Sequence, residues 1–236
     1  MLDLHWTLPV ARWSCWPAGA TAAPDIGFID PLVRRRLSSL SKMALKVAND
    51  CAAGLGPVRL VFASRHGELR RTTGILDDIV AGQLISPTAF SLSVLNAMTG
   101  VYSIARRDRS PATAVSAGAE TLGYALLEAH ALYSADPQTP VLVIYADEPV
   151  DARYGAVDHD MPAGALAILL EHGAIDRLEC AAGCASEEVE EVEGALPSAF
   201  PTQGEALMHG LTSRAAVLWQ GLGRRWQWSL QAGGAV

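Results

Sequence analysis

Two side chains have the type and local context for acid–base chemistry, His66 and Glu120. His66 follows an apolar run, Val58 to Ala63, that predicts a buried strand. Loops at the carboxyl ends of strands in an α/β sheet face ligand crevices. Glu120 follows a corner of small residues, Ala117 to Ala119, and begins a helical pattern. If the two loops meet, the imidazole and the carboxylate can act as a general base and a general acid.

A structural interpretation of both residues needs no catalysis. The histidine would bond Glu68 or backbone, and a carboxylate at the first turn of a helix is favoured by the helix dipole. An enzyme using these residues would draw on a nearby serine, Ser64 or Ser116, and neither lies in a Gly-x-Ser-x-Gly elbow. The structural interpretation is favoured, and a small acyl-transfer or thioester-hydrolysing enzyme using His66 and Glu120 is the alternative.

The corner belongs to a strand–corner–helix unit. A short strand is predicted over Pro111 to Ser116, and a buried strand follows the helix from Val141. Upstream, a helix predicted over Ser91 to Ile104 carries little charge, which favours burial on more than one side, as in a central helix or at a subunit interface. The small and β-branched residues of the short strand suit edge pairing with another chain. We therefore expect a dimer.

This order of elements resembles the condensing enzymes, the β-ketoacyl synthase branch of the thiolase superfamily. The resemblance is carried by Ser86-Pro87-x-x-Phe90, by Asn96-Ala-x-x-Gly100, by the corner, and by the apolar strands Val141 to Glu148 and Gly164 to Glu171. It implies an α/β fold, a thiolase-like half in which α/β/α layers of βαβαβ type surround a mixed, mostly parallel sheet. Residues 1–236 would form a single ketosynthase-like domain.

In that family the corner carries a nucleophilic cysteine, and the second half of the chain supplies two catalytic histidines. Here the cysteine position falls on Ala119, and its neighbours Gly118 and Glu120 supply no thiol either. A thioester intermediate needs an activated nucleophile, which alanine cannot provide. The His-x-Thr-x-Pro and Gly-Phe-Gly-Gly-x-Asn stretches of the family are absent after Glu171. The resemblance therefore implies the fold without the condensing chemistry.

A closer resemblance spans nearly the whole chain. The Trp-rich start and the segments Arg34 to Leu45, Phe62 to Leu69 and Gly223 to Trp228 resemble short chain-length-factor-like proteins found beside aryl-polyene polyketide genes. The resemblance implies a non-catalytic accessory protein of a type II polyketide, aryl-polyene or fatty-acid-type pathway. It would bind a ketosynthase, an acyl carrier protein or an acyl chain, as a homodimer or heterodimer. The implied pocket residues are Ser64, His66, Asn96, Gly118 and Ala119.

A helix predicted from Pro31 to Ala48 carries the candidate surface for a carrier protein. Its apolar residues, at positions 33, 37, 40, 44 and 47, fall on one stripe. The remaining face holds the basic residues Arg34, Arg35, Arg36, Lys42 and Lys46. In a chain of net charge −7, this face suits an acidic partner such as the helix of an acyl carrier protein. A solvated helix face is the simpler alternative.

Other patterns predict the remaining elements. A first strand ends before Gly19, and a helix over Leu69 to Leu84 turns Leu69, Ile75, Leu76, Ile79 and Val80 inward. The acidic stretch Asp176 to Gly194, with its glutamates at 187–193, predicts a solvated loop or a short exposed helix. A linker follows from Ala195 to Gly204. A helix over Glu205 to Leu218 and a strand over Trp226 to Leu230 complete the chain.

Composition excludes several classes of function. With 236 residues, 50% hydrophobic and 18% charged, the chain is typical of a globular protein that buries a core. Its pI of about 5.3 argues against nucleic acid as a partner. No apolar run approaches the roughly 18 residues of a membrane span. The scattered Cys15, Cys51, Cys180 and Cys184 predict free thiols in a reducing cytoplasm. Without a signal peptide, metal motif or nucleotide motif, we expect no cofactor.

Overall fold

Eight strands form one mixed sheet in the computed structural model, which describes residues 4–184 and 200–233. In chain order the strands are β1 Leu4–Trp16, β2 Arg59–Ala63, β3 Ala112–Val115, β4 Val141–Asp147, β5 Gly164–Leu170, β6 Asp176–Cys184, β7 Val217–Gly221 and β8 Arg224–Gln231. The helices are α1 Pro31–Arg34, α2 Ser39–Ala52, α3 Leu69–Val80, α4 Pro87–Ser91, α5 Ala97–Arg106, α6 Thr121–Ala135 and α7 Gln203–Ser213. Across the sheet the order is β3-β2-β4-β5-β1-β6-β8-β7.

The layered α/β arrangement is confirmed, but the expectation of a mostly parallel sheet is wrong. Two strand pairs are parallel, β2 with β3 and β2 with β4. The other five pairs are antiparallel. Parallel neighbours require long crossovers, which α3 to α5 and α6 supply on either side of β3. After β4 the chain returns through connections that suit antiparallel pairing, such as the tight turn between β7 and β8.

Helices cover both faces of the sheet. On one face α2 packs against the central strands, where Leu45 meets the core with Leu142 and Leu169. On the other, α6 and α7 cover a core that contains Leu126 and Leu207 together with Trp6 of β1 and the tryptophans of β7 and β8. The predicted first strand is confirmed. It lies inside the sheet between β5 and β6, with Trp6 buried and Trp13 and Trp16 half-buried.

The helix predicted from Pro31 to Ala48 is two helices. Asp30 caps α1, and its carboxylate accepts bonds from the N–H groups of Leu32 and Val33. Ser38 then begins α2, because its hydroxyl accepts the N–H of Ser41. A serine that bonds the backbone in this way favours a new helix start over a continuing helix.

Corrections to α3 concern its end and its buried face. The helix ends at Val80 instead of Leu84, and Gly82 follows with a positive φ of 67°. The side chains predicted to face inward are largely exposed, Leu76 by 50%, Ile79 by 56% and Val80 by 89%, and only Thr73 of this helix is buried. A regular apolar stripe identifies a helix, but it does not say which neighbour covers the stripe.

Three further predicted boundaries are wrong. The helix predicted over Ser91 to Ile104 is split between α4 and α5, and α5 buries only Met98, Thr99 and Tyr102. The last helix stops at Ser213, because Arg214 adopts a left-handed conformation with φ of 55° and the chain continues as β7. The start of the predicted acidic loop, residues 176–184, is strand β6. The glutamates at 187–193 and the first half of the predicted linker, residues 195–199, lie outside the described residues.

Candidate functional site

The predicted strand–corner–helix unit is present, and the side chain at its corner is the methyl group of Ala119. Strand β3 leads into a single 3-10 turn, Gly118–Glu120, and then into α6. The hydroxyl of Thr121 braces the turn by accepting the N–H of Ala117 at 2.9 Å and donating to the carbonyl of Gly118 at 2.7 Å. Gly118 has a φ of 60°, which favours glycine. Ala119 is half-buried against the core, so this corner offers neither a nucleophile nor a proton donor.

The Glu120 side chain contacts two residues of the last strand, β8. Its carboxylate accepts the indole N–H of Trp226 at 2.7 Å and lies 3.1 Å from Nε of Arg224. Its side chain makes no hydrogen bond that caps α6, so the expected capping role is not what the structure shows. In the residues that the structure describes, no hydrogen bond or ion pair links Glu120 to His66.

His66 lies just beyond the carboxyl end of β2, as the sequence predicts, but Asp160 is its partner and not Glu68. His66 Nε2 lies 3.1 Å from Oδ1 of Asp160, and Oδ2 of Asp160 accepts the N–H of Val150 at 3.0 Å. Glu68 is buried and instead accepts the hydroxyl of Ser41 at 2.7 Å.

A buried carboxylate that the sequence interpretation missed holds the His66 loop. Asp147, at the end of β4, accepts the hydroxyl of Ser64 at 3.0 Å and the N–H groups of Arg65 at 2.7 Å and His66 at 3.1 Å. Asp147 is 1% exposed, and this burial raises the pKa of its carboxyl despite those hydrogen bonds. Burial, followed by the charge of Asp147, holds the pKa of Tyr145 well above its usual range. In the sequence, the sign of this buried carboxylate was an acidic residue at the end of an apolar strand.

Two adjoining clefts open at the carboxyl ends of β2, β3 and β4. The larger, of about 460 Å³, is lined by His66, Gly67, Leu69, Arg70 and residues 148–152. The smaller, of about 200 Å³, is lined by residues 65–69 with Thr72, Ser93, Leu95 and Ser116. In the sheet, β2 lies between β3 and β4: the chain passes from β2 to β3 on one side and then crosses to β4 on the other. The point where the strand order reverses in this way is where α/β sheets bind ligands.

The other expected pocket residues lie apart from these clefts. Ser64 is fully buried beneath the His66 loop. Asn96 is exposed at the start of α5, where its side chain caps nothing, and it lines neither cleft. Gly118 and Ala119 line neither cleft as well.

All four cysteines are free thiols. Burial raises the pKa of Cys51 to about 12 and also raises the pKa of Cys15 and Cys180. Cys184 is exposed at the end of β6, where its partner on β8 is Arg224, the residue that contacts Glu120. Within residues 4–184 and 200–233, no three His, Cys, Asp or Glu side chains group to hold a metal ion.

The basic residues expected on one helix face are divided between two elements. Arg34, Arg35 and Arg36 belong to α1 and the turn after it, and the carbonyl of Arg36 accepts a bond from Arg71. Lys42 and Lys46 belong to α2, where Lys46 is paired with Asp50 at 2.5 Å. Among the residues that the structure describes, none of the three arginines forms an ion pair, so they are the larger part of this group without a nearby carboxylate.

Strand β3 lies at the edge of the sheet with its outer side unpaired. Pro111 and Val115 direct their carbonyls to β2, accepting the N–H groups of Leu60 and Ser64. Because backbone groups alternate along a strand, Ala112 and Ala114 direct theirs away from the sheet.

Exposed apolar side chains are concentrated just before β3 in the chain. Of thirteen large exposed hydrophobic side chains in the described residues, seven fall within residues 76–104. They are Leu76, Ile79, Val80, Leu84, Phe90, Val94 and Ile104, here called the apolar segment. This concentration is typical of a surface that a partner covers. None of the described helices is long and apolar enough to cross a membrane.

Comparisons with known proteins agree with this architecture. The family model of the β-ketoacyl synthase N-terminal domain matches residues 9–229. No curated protein matches the chain. A structure of the ketosynthase ApeO in complex with its chain length factor ApeC, from Xenorhabdus doucetiae, contains a chain that is 27% identical with a TM-score of 0.77, covering 95% of this chain and 99% of that one.

Two more solved structures share the fold. The ishigamide ketosynthase/chain length factor matches at 16% identity and a TM-score of 0.67, over 97% of this chain and 99% of that chain. A β-ketoacyl synthase from Burkholderia phymatum matches at 14% identity and a TM-score of 0.51, over 75% of this chain and 54% of that chain. The fold is therefore the thiolase-like one that the sequence resemblance implied. Because the family model covers nearly the whole chain, the protein belongs to the β-ketoacyl synthase N-terminal domain family.

Proposed function

We propose that this chain is a chain-length-factor-like accessory subunit that pairs with a ketosynthase and does not itself condense acyl groups. The observation that carries the proposal is the corner after β3, which presents Ala119 where the family resemblance implies a nucleophilic cysteine. The pathway would be of the type II polyketide, aryl-polyene or fatty-acid type. The whole of residues 1–236 would act as one ketosynthase-like domain.

The match to a ketosynthase–chain length factor complex supports this assignment. A chain of the ApeO–ApeC complex is 27% identical to this chain with a TM-score of 0.77, and the match covers 95% of this chain and 99% of that one. A chain that resembles a member of such a complex over this extent fits an accessory subunit of a ketosynthase.

The partner surface would be the open edge of β3 together with the apolar segment. Strand addition supplies backbone hydrogen bonds through the outward groups of Ala112 and Ala114, and the apolar side chains nearby would be removed from water by the same partner. Helix α5 leads directly into β3, which makes the two features neighbours along the chain. A ketosynthase of the same fold would present an equivalent edge strand.

An acyl carrier protein is the second proposed partner, through the arginines at positions 34–36. These cations stand out in a chain of net charge −7, and charge complementarity speeds the encounter with an acidic partner. Arg35→Glu should weaken carrier binding. The matched control is Arg109→Glu, at an arginine that is also exposed and lies just before β3. This change should leave carrier binding unchanged.

A condensation assay tests the non-condensing role. The chain alone, a type II ketosynthase alone, and the mixture are each given an acyl-loaded carrier and a malonyl-loaded carrier. We expect no ketoacyl product from the chain alone and a change in the amount or length of product from the mixture. Product from the purified chain alone would overturn the proposal.

A further inference from the structure

We propose that His66 and Asp160 form a general-base dyad that hydrolyses small acyl thioesters in the larger cleft. The proposal is independent of the accessory role, because it uses neither the corner nor the β3 edge. It concerns His66, which lies at the carboxyl end of β2 and lines a cleft of about 460 Å³, within the size range of ligand pockets. Asp160 does not line the cleft and contacts His66 from the loop between β4 and β5.

Both members of the pair are held in place. Each carboxylate oxygen of Asp160 has a partner, His66 Nε2 at 3.1 Å and the N–H of Val150 at 3.0 Å. The backbone of His66 is fixed by Asp147, and Arg65 donates to the carbonyls of Asp158 and His159. The loop that carries the base and the loop that carries its partner are therefore tied together, which is the support that a preorganised catalytic pair requires.

The second ring nitrogen of His66 is available. Nδ1 makes no hydrogen bond to the described residues, and His66 lines both clefts. The His66 side chain is 16% exposed and the Asp160 side chain 22%. A carboxylate bonded to one nitrogen of an imidazole orients the ring and stabilises the imidazolium that forms when the other nitrogen takes a proton.

The lining of the clefts identifies water as the nucleophile. Ser93 and Ser116 line the smaller cleft, but Ser93 donates its hydroxyl to the carbonyl of Phe90 at 2.8 Å and Ser116 donates to that of Arg65 at 3.0 Å. Neither hydroxyl is bonded to His66, and no cysteine lines either cleft. A water molecule beside Nδ1 needs no protein nucleophile.

The larger cleft suits a small acyl thioester. Leu69, Pro149, Val150 and Ala152 provide apolar contacts for the acyl chain. Arg70 lines the same cleft and forms no close ion pair within the described part of the chain, and its charge helps to lower the pKa of the Asp151 carboxyl in that lining. A cation at this place can stabilise an oxyanion on the carbonyl oxygen.

The step balances without a further reactant. His66 Nδ1 removes a proton from water as the water oxygen bonds to the acyl carbon, and the carbonyl oxygen gains the negative charge. The tetrahedral intermediate collapses, the carbon–sulfur bond breaks, and the imidazolium returns the proton to the departing sulfur. The products are a carboxylic acid and a thiol.

The test follows the loss of thioester absorbance from acetyl- and hexanoyl-N-acetylcysteamine with the purified chain. We expect hydrolysis by the wild type and a fall in kcat of about 100-fold or more in His66→Gln, with KM little changed, since general-base catalysis contributes factors of that size. Asp160→Asn, a positioning change, should lower kcat in the same direction at unchanged KM. Arg70→Gln, at an exposed position, should lower kcat without affecting folding.

The matched controls are His172→Gln, an exposed histidine that lines a different cleft, and Asp158→Asn, an exposed neighbour that uses only its backbone carbonyl. Both should retain wild-type turnover. Absence of turnover in the wild type, or equal turnover in the wild type and the His66→Gln and Arg70→Gln variants, would overturn the dyad. Ketosynthase pairing, measured separately on the same variants, should be unchanged, so the two proposals fail independently.

Discussion

Trp226 of β8 donates its indole N–H to the carboxylate of Glu120 at 2.7 Å, so the closing strand of the chain is bonded to the corner that presents Ala119. Arg224 strengthens the link, since its Nε lies 3.1 Å from the same carboxylate and its guanidinium sits 5.9 Å from the centre of the Trp226 ring. A buried carboxylate needs such partners. The corner is therefore supported by residues more than a hundred positions away.

Close packing between α6 and this tryptophan makes Gly123 sensitive to substitution. A Cβ at Gly123 would lie 2.4 Å from the Trp226 ring. We expect Gly123→Ala to lower the free energy of unfolding by about 1–3 kcal/mol, the usual cost of overpacking a core, as measured by urea denaturation. Gly74→Ala, also in a helix but with no atom within 4 Å, should be neutral or stabilising by up to about 1 kcal/mol. Equal effects would contradict this packing.

The raised pKa of Asp147 predicts a specific dependence of stability on pH. Burial keeps the carboxyl protonated to a higher pH in the folded chain than in the unfolded chain. The unfolded state therefore loses its proton first as pH rises, so the free energy of unfolding falls between the ordinary carboxyl pKa and the raised value and is level above it. Asp147→Asn should lack this fall in urea unfolding measured across that window.

The exposed Asp158→Asn is the control for Asp147, and it should keep the wild-type pH dependence. Superimposable pH curves for the wild type and Asp147→Asn would show that the buried carboxyl does not retain its proton.

Placing a thiol at the corner should not restore condensation. In Ala119→Cys the new sulfur would sit at the start of α6, where a helix N-terminus favours the thiolate, and we expect peptide mapping to show its alkylation by iodoacetamide. Cys51 and Cys180 should remain unlabelled in the folded chain, because both are buried and their thiols have raised pKa values. Ketoacyl product from this variant alone would contradict the account.

The sequence predicted the elements better than their surroundings. The run before His66, the corner at Ala119 and the closing strand around Trp226 were each visible as local patterns, because strand and helix periodicities are local properties. The partners of His66 and Glu120 were not visible in this way. Asp160 and Trp226 contact them through tertiary packing, which the spacing of residues along the sequence does not predict.

The apolar stripe of α3 shows the same limit. Its spacing predicted the helix correctly, and burial was inferred from the stripe. The structure leaves Ile79 and Val80 exposed. An apolar stripe does not tell whether the surface that covers it belongs to the same chain or to a partner.

Native mass spectrometry of this chain mixed with a type II ketosynthase directly tests the proposed heterodimer through β3. Ala114→Pro removes the outward N–H while leaving the bonds to β2 that Pro111 and Val115 accept, and proline is tolerated at such edge positions. Ala114→Ser keeps the N–H. We expect a one-to-one heterodimer for the wild type and Ala114→Ser and its loss in Ala114→Pro. A chain that stays monomeric or homodimeric beside the ketosynthase would contradict the account.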